Sequence, residues 1–403
     1  MKLAANAAVL VLSICGAATL GAQDLSQYTS FTVDGKTVQF HGFVSQGFLY
    51  SNDNNYLTTD SSKGSFAFTD AAVNASVQIT DKFRVGAQVY DRNLGQLGKW
   101  HPTLDWAVAD YRFKDWFGIR AGQVKTVLGL YNDTQDMEFL HTFAILPQSA
   151  YPLDLRSSTI AHDGADVYGT ISLKKLGDLE YTGYAGWRPY DKWGGYPYGV
   201  QNYGITLFNY PSKQMGGDLR WDGLVKGLVM GASYMHAPGS AAGSLAVAPG
   251  FSMPDKLTND DNVNAFYADY KIGNLTVDGE YRRETYAGTT TIGPMPATPF
   301  QTDERGWYGS AAYRVSKRLE LGTYRSWFYP VWGQLSSPPT NHMFDTVAAA
   351  KINLVGQWDL KVEEHFMDGY GTPYSFRGFY PQQNPVGFRP KTDMLVIRTG
   401  WNF

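Results

Sequence analysis

A two-residue period that recurs along the whole chain, with gaps alternating in length, constrains this sequence more than anything else in it. AAVNASVQI places Ala71, Val73, Ala75, Val77 and Ile79 on one face. After Asp81-Lys82 the chain returns as FRVGAQVYDR, with Phe83, Val85, Ala87 and Val89 on the matching face. Alternation with one apolar face is a strand signature, and a two-residue turn between such runs makes an antiparallel hairpin. The unit repeats as LDWAVADYRF and WFGIRAGQVK, DVYGTISL and LEYTGYAGWR, MGGDLRW and GLVMGASYMH. It continues as NAFYADYKI and LTVDGEYRRE, GWYGSAAYRV and LELGTYRSWFY, FDTVAAAKINL and WDLKVEEHFM. With FHGFVSQGFLYS before them and MLVIRTGWNF after, the count is about sixteen, an even number that leaves both chain ends on the short-turn side of a closed barrel.

Loop lengths segregate by side. The long gaps, Tyr131 to Asp163, Pro189 to Gln214, Pro238 to Val263 and Tyr370 to Thr392, all fall opposite the short turns. A sandwich or propeller has no reason to sort its loops this way, so the expected fold is all-β, a transmembrane antiparallel β-barrel. Closure pairs every strand, which explains why the last ten residues alternate as strand. Their apolar row, Leu395, Ile397, Trp401 and Phe403, is expected to face lipid and an interfacial aromatic girdle.

Composition fits an alternating wall. The chain has 15% aromatic residues and 43 glycines, yet a mean hydropathy of −0.30. No stretch beyond the N-terminus approaches the ~20 apolar residues of a membrane helix. Lys2 followed by AANAAVLVLSICGAATLGA reads as a secretory signal peptide, residues 1–22. Residues 23–37 then form an N-terminal periplasmic stretch and 38–403 the barrel domain. Cys15 is the chain's one cysteine and leaves with the leader, so disulfides contribute nothing to stability. A net charge of −3 argues against a nucleic-acid partner.

In architecture the chain resembles the sixteen-stranded porins of Gram-negative outer membranes, whose shared C-terminal Phe after alternating apolar residues is carried here by MLVIRTGWNF. A narrower likeness, to phosphate-selective-like and dicarboxylate-channel-like porins, rests on DWAVADYRF, IRAGQVKTVLGLYND and DLKVEEHFMDG. The resemblance implies passive diffusion of small hydrophilic solutes or ions, a homotrimer and an inward-folded third loop. It also implies outer-membrane lipid and lipopolysaccharide as surroundings, and recognition of Phe403 and Trp401 as a signal by the barrel-assembly machinery. No cofactor is implied.

If the apolar row faces lipid, the alternate residues line the bore. This places Arg84, Asp110, Arg112, Arg120 and Arg398 inward. Charges at strict alternation demand a wet interior, because Arg or Lys facing hydrocarbon at the midplane costs roughly 2–4 kcal/mol. The third loop, TVLGLYNDTQDMEFLHTFAILPQSAYPLDLRSSTIAHDG, is too long for a simple connection, and its apolar Phe139 to Leu146 argue for packing on the inner wall. Folded inward, it is expected to set Asp133, Asp136 and Glu138 opposite Arg84, Arg112 and Arg120. Such a constriction would order dipolar solutes and limit their size. The inward charges nearly balance in sign.

Two other classes compete. A secreted binding protein could use Trp193, Tyr196, Tyr198 and Tyr203. An outer-membrane hydrolase would need a nucleophile within reach of a base, and His365, flanked by Glu363 and Glu364, is the most suggestive residue. No G-x-S-x-G, H-E-x-x-H or Cys/His metal spacing accompanies it.

Overall fold

The computed structural model describes residues 29–223, 225–334, 338–371 and 377–403. The expected leader lies outside them. One continuous antiparallel sheet holds all the strands, and 16 of them close into a barrel. In chain order these are β1 (Lys36–Ser51), β2 (Ser65–Thr80), β3 (Phe83–Leu94), β4 (Thr103–Lys114), β5 (Phe117–Lys125), β6 (Ala161–Ser172), β7 (Asp178–Trp187) and β8 (Lys213–Asp222). The second half follows as β9 (Leu228–Ala248), β10 (Phe251–Ile272), β11 (Leu275–Ile292), β12 (Thr298–Arg314), β13 (Leu319–Tyr329), β14 (Met343–Val355), β15 (Trp358–Gly369) and β16 (Lys391–Asn402).

Each strand pairs with its neighbour in sequence, and β16 closes on β1 from Met394↔Ser51 to Asn402↔Phe43. Apolar side chains such as Val73, Val89, Leu219, Phe266, Tyr313, Leu321 and Phe366 stand exposed on the outer face. The inner face carries the polar set. Water cannot satisfy an outer wall of this kind over so large an area; hydrocarbon can.

The short turns need particular backbone signs. Gly273 and Gly356 open two-residue turns with φ of 58° and 56°, and a Cβ added at either meets nothing. Their requirement is therefore conformational rather than steric crowding. At the seam, Phe403 and Gly42 exchange backbone hydrogen bonds of 3.0 and 3.2 Å. The Phe403 ring lies directly over Gly42, where a Cβ would come within 2.7 Å of it.

Two short strands lie outside the closed wall. Ser30–Val33 folds back on the start of β1, with Ser30↔Gln39 and Val33↔Lys36. Ile205–Asn209, in the connection from β7 to β8, adds to the upper part of β9. The expected loop from Pro238 to Val263 is instead the top of one hairpin, with β9 and β10 paired from Leu228↔Tyr270 up to Ala248↔Phe251. The run GSAAGSLAVAPG hides it: a strand that rises clear of the membrane has no lipid to face and needs no apolar contrast.

Candidate functional site

The third loop, residues 126–160, leaves β5 and returns to β6 with its ends tied. Thr126 donates its N–H to Ile160 at 2.9 Å, and Asn132 donates to the carbonyls of Thr126 and Thr159 at 2.8 and 2.9 Å. A first anchor sits near its base. Lys125 reaches Asp136 at 2.5 Å and Asp105 at 3.3 Å, while Arg156 reaches Asp105 at 2.6 Å. Gln88 donates to both carboxylates at 2.8 and 3.1 Å. Burial opposes ionisation of Asp136, yet Lys125 and Arg156 outweigh it and hold its carboxyl at about 2.

From there the loop crosses the bore to the far wall. Glu138 meets Lys361 of β15 at 2.6 Å. Burial again opposes its charge, and Lys361 and Arg398 prevail, leaving Glu138 at about 2. Lys351 of β14 donates to the carbonyls of Phe139 and His141 at 2.6 and 3.1 Å. The N–H groups of Ala144 and Ile145 point at Glu363, and Arg398 donates to the Ala144 carbonyl at 2.9 Å. Farther along, Tyr151 donates to Glu280 of β11, and Arg282 donates to Ala150 at 3.0 Å. Burial lowers the His141 ring to about 4, against its hydrogen bond to the Thr134 carbonyl at 3.0 Å.

A strap from the last long loop covers the same region. Asp154 accepts from the N–H of Gly378 at 2.9 Å and the hydroxyl of Tyr380 at 2.8 Å. Arg377 reaches Glu304 at 3.3 Å. Burial lifts the Asp154 carboxyl to about 6 against those donors.

The wall is consequently uneven. The inward side chains of β11 to β16 that the loop covers, Glu280, Arg282, Val347, Lys361, Glu363 and Arg398 among them, are buried. The space left between the loop and Arg398 is about 10 Å³, room for one water. On β4 to β8 a band of inward side chains keeps exposure: Arg112 55%, Arg120 28%, with Tyr168, Thr170, Thr182 and Arg220 half-buried and Glu180 exposed, while Asp166 and Asp218 among them are buried. Their charges alternate across the strands. Arg84 sits opposite Asp110, Asp110 opposite Arg120, and Arg120 opposite Asp166; Glu180 sits opposite Arg220. Arg120 and Asp166 are 2.8 Å apart, and Tyr168 donates to Asp110 at 2.6 Å. Below them, a cavity of about 440 Å³ lined by Lys36, Gln39, Ser76, Gln78 and Arg84 opens at the short-turn end.

The residues named from sequence thus divide into separate groups. Arg84, Asp110, Arg112 and Arg120 share the exposed wall, with Arg112 paired to Asp115 of the adjacent turn at 3.8 Å. Arg398 is buried across the bore, bound to Asp70 at 2.8 Å. The expected face-to-face arrangement of loop acids and wall arginines does not form. Asp136 turns to Lys125 and Arg156, and Glu138 to Lys361. Asp133, raised by burial, feels Arg220 and Lys125 instead. Register explains the correction. The loop departs at Lys125, and at about 3.3 Å per residue Arg120 lies ~16 Å along the strand and Arg112, opposite Gly118, lies ~23 Å along it.

Sequence reasoning missed Asp70, Asp105, Lys125, Arg156 and Arg377. Asp105 is hidden by a bulge, where the register of β3 and β4 shifts between Gln88 and Val89, so the alternation counted up from Ala107 assigns it to the wrong face. As for His365, its ring nitrogens face Asp345 at 2.9 Å and Glu363 at 3.3 Å; both are taken up by carboxylates, with no nucleophile between. Among the described residues no cluster of His, Cys, Asp or Glu is arranged to hold a metal ion.

Solved structures share this arrangement of strands. OmpT of Vibrio cholerae, described as expressed in the outer membrane, aligns over 93% of this chain and 100% of its own with a TM-score of 0.56 and 11% identity. An anion-selective porin from Comamonas acidovorans aligns over 91% and 100%, at a TM-score of 0.54 and 10% identity. The fold is a porin fold. The outer membrane channel DcaP of Acinetobacter baumannii shares it too, over 93% and 100% of the two chains at a TM-score of 0.52 and 10% identity. No family model and no curated protein matches the sequence. Identities this low speak for the porin fold and leave the function to be argued from the residues.

Proposed function

We propose that this chain is an outer-membrane channel that lets small hydrophilic solutes or ions diffuse passively along the β4–β8 side of its bore. The observation that carries the reading is the uneven wall: beyond its anchor on β3 to β5 the third loop packs on β11 to β16, while Asp110, Arg112, Arg120, Glu180 and Arg220 on β4 to β8 keep exposure. Asp110, Arg112, Arg120, Glu180 and Arg220 line that path with Arg84 of the neighbouring β3, and Asp166 is buried in its pair with Arg120. Asp133 faces it from the loop. Positive and negative groups alternate there, so the channel orders dipolar solutes and favours neither ion sign strongly. Transport is downhill and uses no cofactor. An enzymatic role has no support from His365, whose environment is a carboxylate network. A secreted binding protein would have to keep the exposed apolar wall in water.

Residues 1–22 serve as the leader in this reading and 23–37 as the periplasmic stretch, while Trp401 and Phe403 form the assembly signal. The chain functions as a homotrimer. Support comes from the low-relief outer face of β2 to β4, built from Ala71, Val73, Ala75, Val85, Ala87, Val89, Ala107 and Ala109, and from a trimer form solved for Vibrio cholerae OmpT.

Reversal potentials in asymmetric salt test the path. Replacing both Arg120 and Arg220 by Ala leaves Asp133, Asp166 and Glu180 uncompensated and is expected to shift selectivity toward cations. Replacing Glu363, on the packed side, by Gln leaves it unchanged. Equal reversal potentials in wild type and the double variant contradict the path.

A further inference from the structure

The outer face of β10 to β14 carries two rows of different chemistry, one directly above the other. The lower row runs across paired positions as Phe266, Tyr281, Trp307, Trp327 and Phe344. Trp307 and Trp327 stack with centroids 6.0 Å apart, and Tyr281 stacks on Trp307 at 6.4 Å. A continuous aromatic row on the lipid side marks the boundary between hydrocarbon and headgroups. The row above it, one outward position nearer the long loops, reads Asn264, Arg283, Arg305 and Tyr329.

Arg283 and Arg305 both turn to one carboxylate. Asp303 accepts from Arg283 at 3.0 and 2.9 Å and from Arg305 at 3.1 and 2.9 Å. The Arg305 guanidinium also lies over the Trp332 ring at 4.3 Å. One outward position below the aromatic row, Arg325 stands opposite Thr346. It donates to the Thr346 hydroxyl, and its guanidinium lies 5.6 and 5.8 Å from the ring centroids of Trp327 and Phe344. Arg325 has no ion pair among the described residues.

Other outward charges nearby are accounted for locally. His236 pairs with Asp260 at 2.6 Å, and His342 with Asp368 at 3.7 Å. Glu364 on β15 lies one outward position lower than Arg325. Arg283 and Arg305 therefore share one carboxylate just above the aromatic row, and Arg325, one outward position below the row, brings a third guanidinium up to its rings without an acid of its own among the described residues. Arg283 keeps 44% of its side-chain surface and Arg305 22%. Cations on a lipid-facing wall are costly unless an anion joins them, and paired guanidiniums match a phosphate better than they match a second copy of this wall.

We propose that Arg283, Arg305 and Arg325 on the outward face of β11 to β13 bind the phosphate of a lipid in the leaflet at the long-loop end. The arginines hold the phosphate from above and below, and the aromatic row packs on the acyl chains. Asp303 fixes the geometry of two of the arginines and limits affinity by its own charge. The site rests on the membrane placement argued above.

Native mass spectrometry of the purified barrel in a phosphate-free maltoside detergent tests it, with dioleoyl phosphatidic acid and dioleoylglycerol as paired probes. The wild type is expected to retain one phosphatidic acid and to release dioleoylglycerol. Arg283→Gln with Arg305→Gln is expected to reduce retention about tenfold, while Asp303→Asn increases it. Equal retention of the two lipids by the wild type overturns the proposal and needs no variant to show it. Undiminished retention by a double variant that still shows heat-modifiable gel mobility overturns it as well. Displacement of the lipid by millimolar inorganic phosphate assigns the arginines to a free anion and overturns the lipid commitment. Loss of heat-modifiable mobility in the wild type would instead strike at the barrel reading itself.

Discussion

Lys361 has no exposed surface, and its ammonium sits 2.6 Å from Glu138. Removing one partner of such a buried pair leaves the other charge without compensation, at about 3–5 kcal/mol. Lys361→Met is expected to lower the temperature at which the folded form converts to the denatured band on gels; Glu138→Gln with Lys361→Met recovers much of that loss. The linkage runs in opposite directions at two loop acids. Glu138 is depressed to about 2, so its contribution is intact above the ordinary carboxyl range and fades as pH falls from about 4.5 toward 2. Asp154 is raised from 3.8 to about 6; its contribution is complete below 3.8 and is lost as pH rises through 6. Asp154→Asn keeps an acceptor for Gly378 and Tyr380 and is expected to stabilise the fold at pH 8, on the order of 2–3 kcal/mol, with little effect at pH 4. Denaturation midpoints at the two pH values check the difference. Alternation told which side Lys361 and Arg398 face. It carried no information on partners, because Glu138 lies over two hundred positions from Lys361 along the chain (|i−j| of 223 for their closest bond).

At the scale of elements, the strands were legible because the bilayer imposes an apolar face on each. The legibility stopped where that pressure stops. The upper halves of β9 and β10 stand clear of lipid and read as loop, and the first strand begins at Lys36 rather than Phe40 for the same reason. A bulge defeats alternation differently, by slipping its phase, as at Asp105. Turn chemistry was readable at Gly273-Asn274 and Gly356-Gln357, where positive φ is required. Gly356→Val places a β-branched residue at φ 56°, a strain of roughly 1–2 kcal/mol. The expected result is slower refolding from urea with an unchanged conductance, since the turn is remote from the path. A conductance change would place the turn in the channel.

On the scale of the molecule, closure and loop packing together define what the bore can do. The sixteen-stranded wall and the segregation of long loops to one end followed from spacing alone. The position of the third loop did not, because it depends on which wall offers buried partners to Glu138, Ala144 and Tyr151. Those partners lie on β11 to β16, and the proposed path falls on the opposite side. The chain offers a direct probe, since its one cysteine is Cys15, in the leader region. Thr182→Cys sits on the exposed inner wall, and Val347→Cys beneath the loop, where Val347 has no exposed surface. Single-channel current through the folded protein, recorded before and after a bulky water-soluble methanethiosulfonate, tests the account most directly. It predicts discrete conductance steps in both variants, with block at position 182 and none at 347. Absent steps, or block at 347 with none at 182, would contradict it.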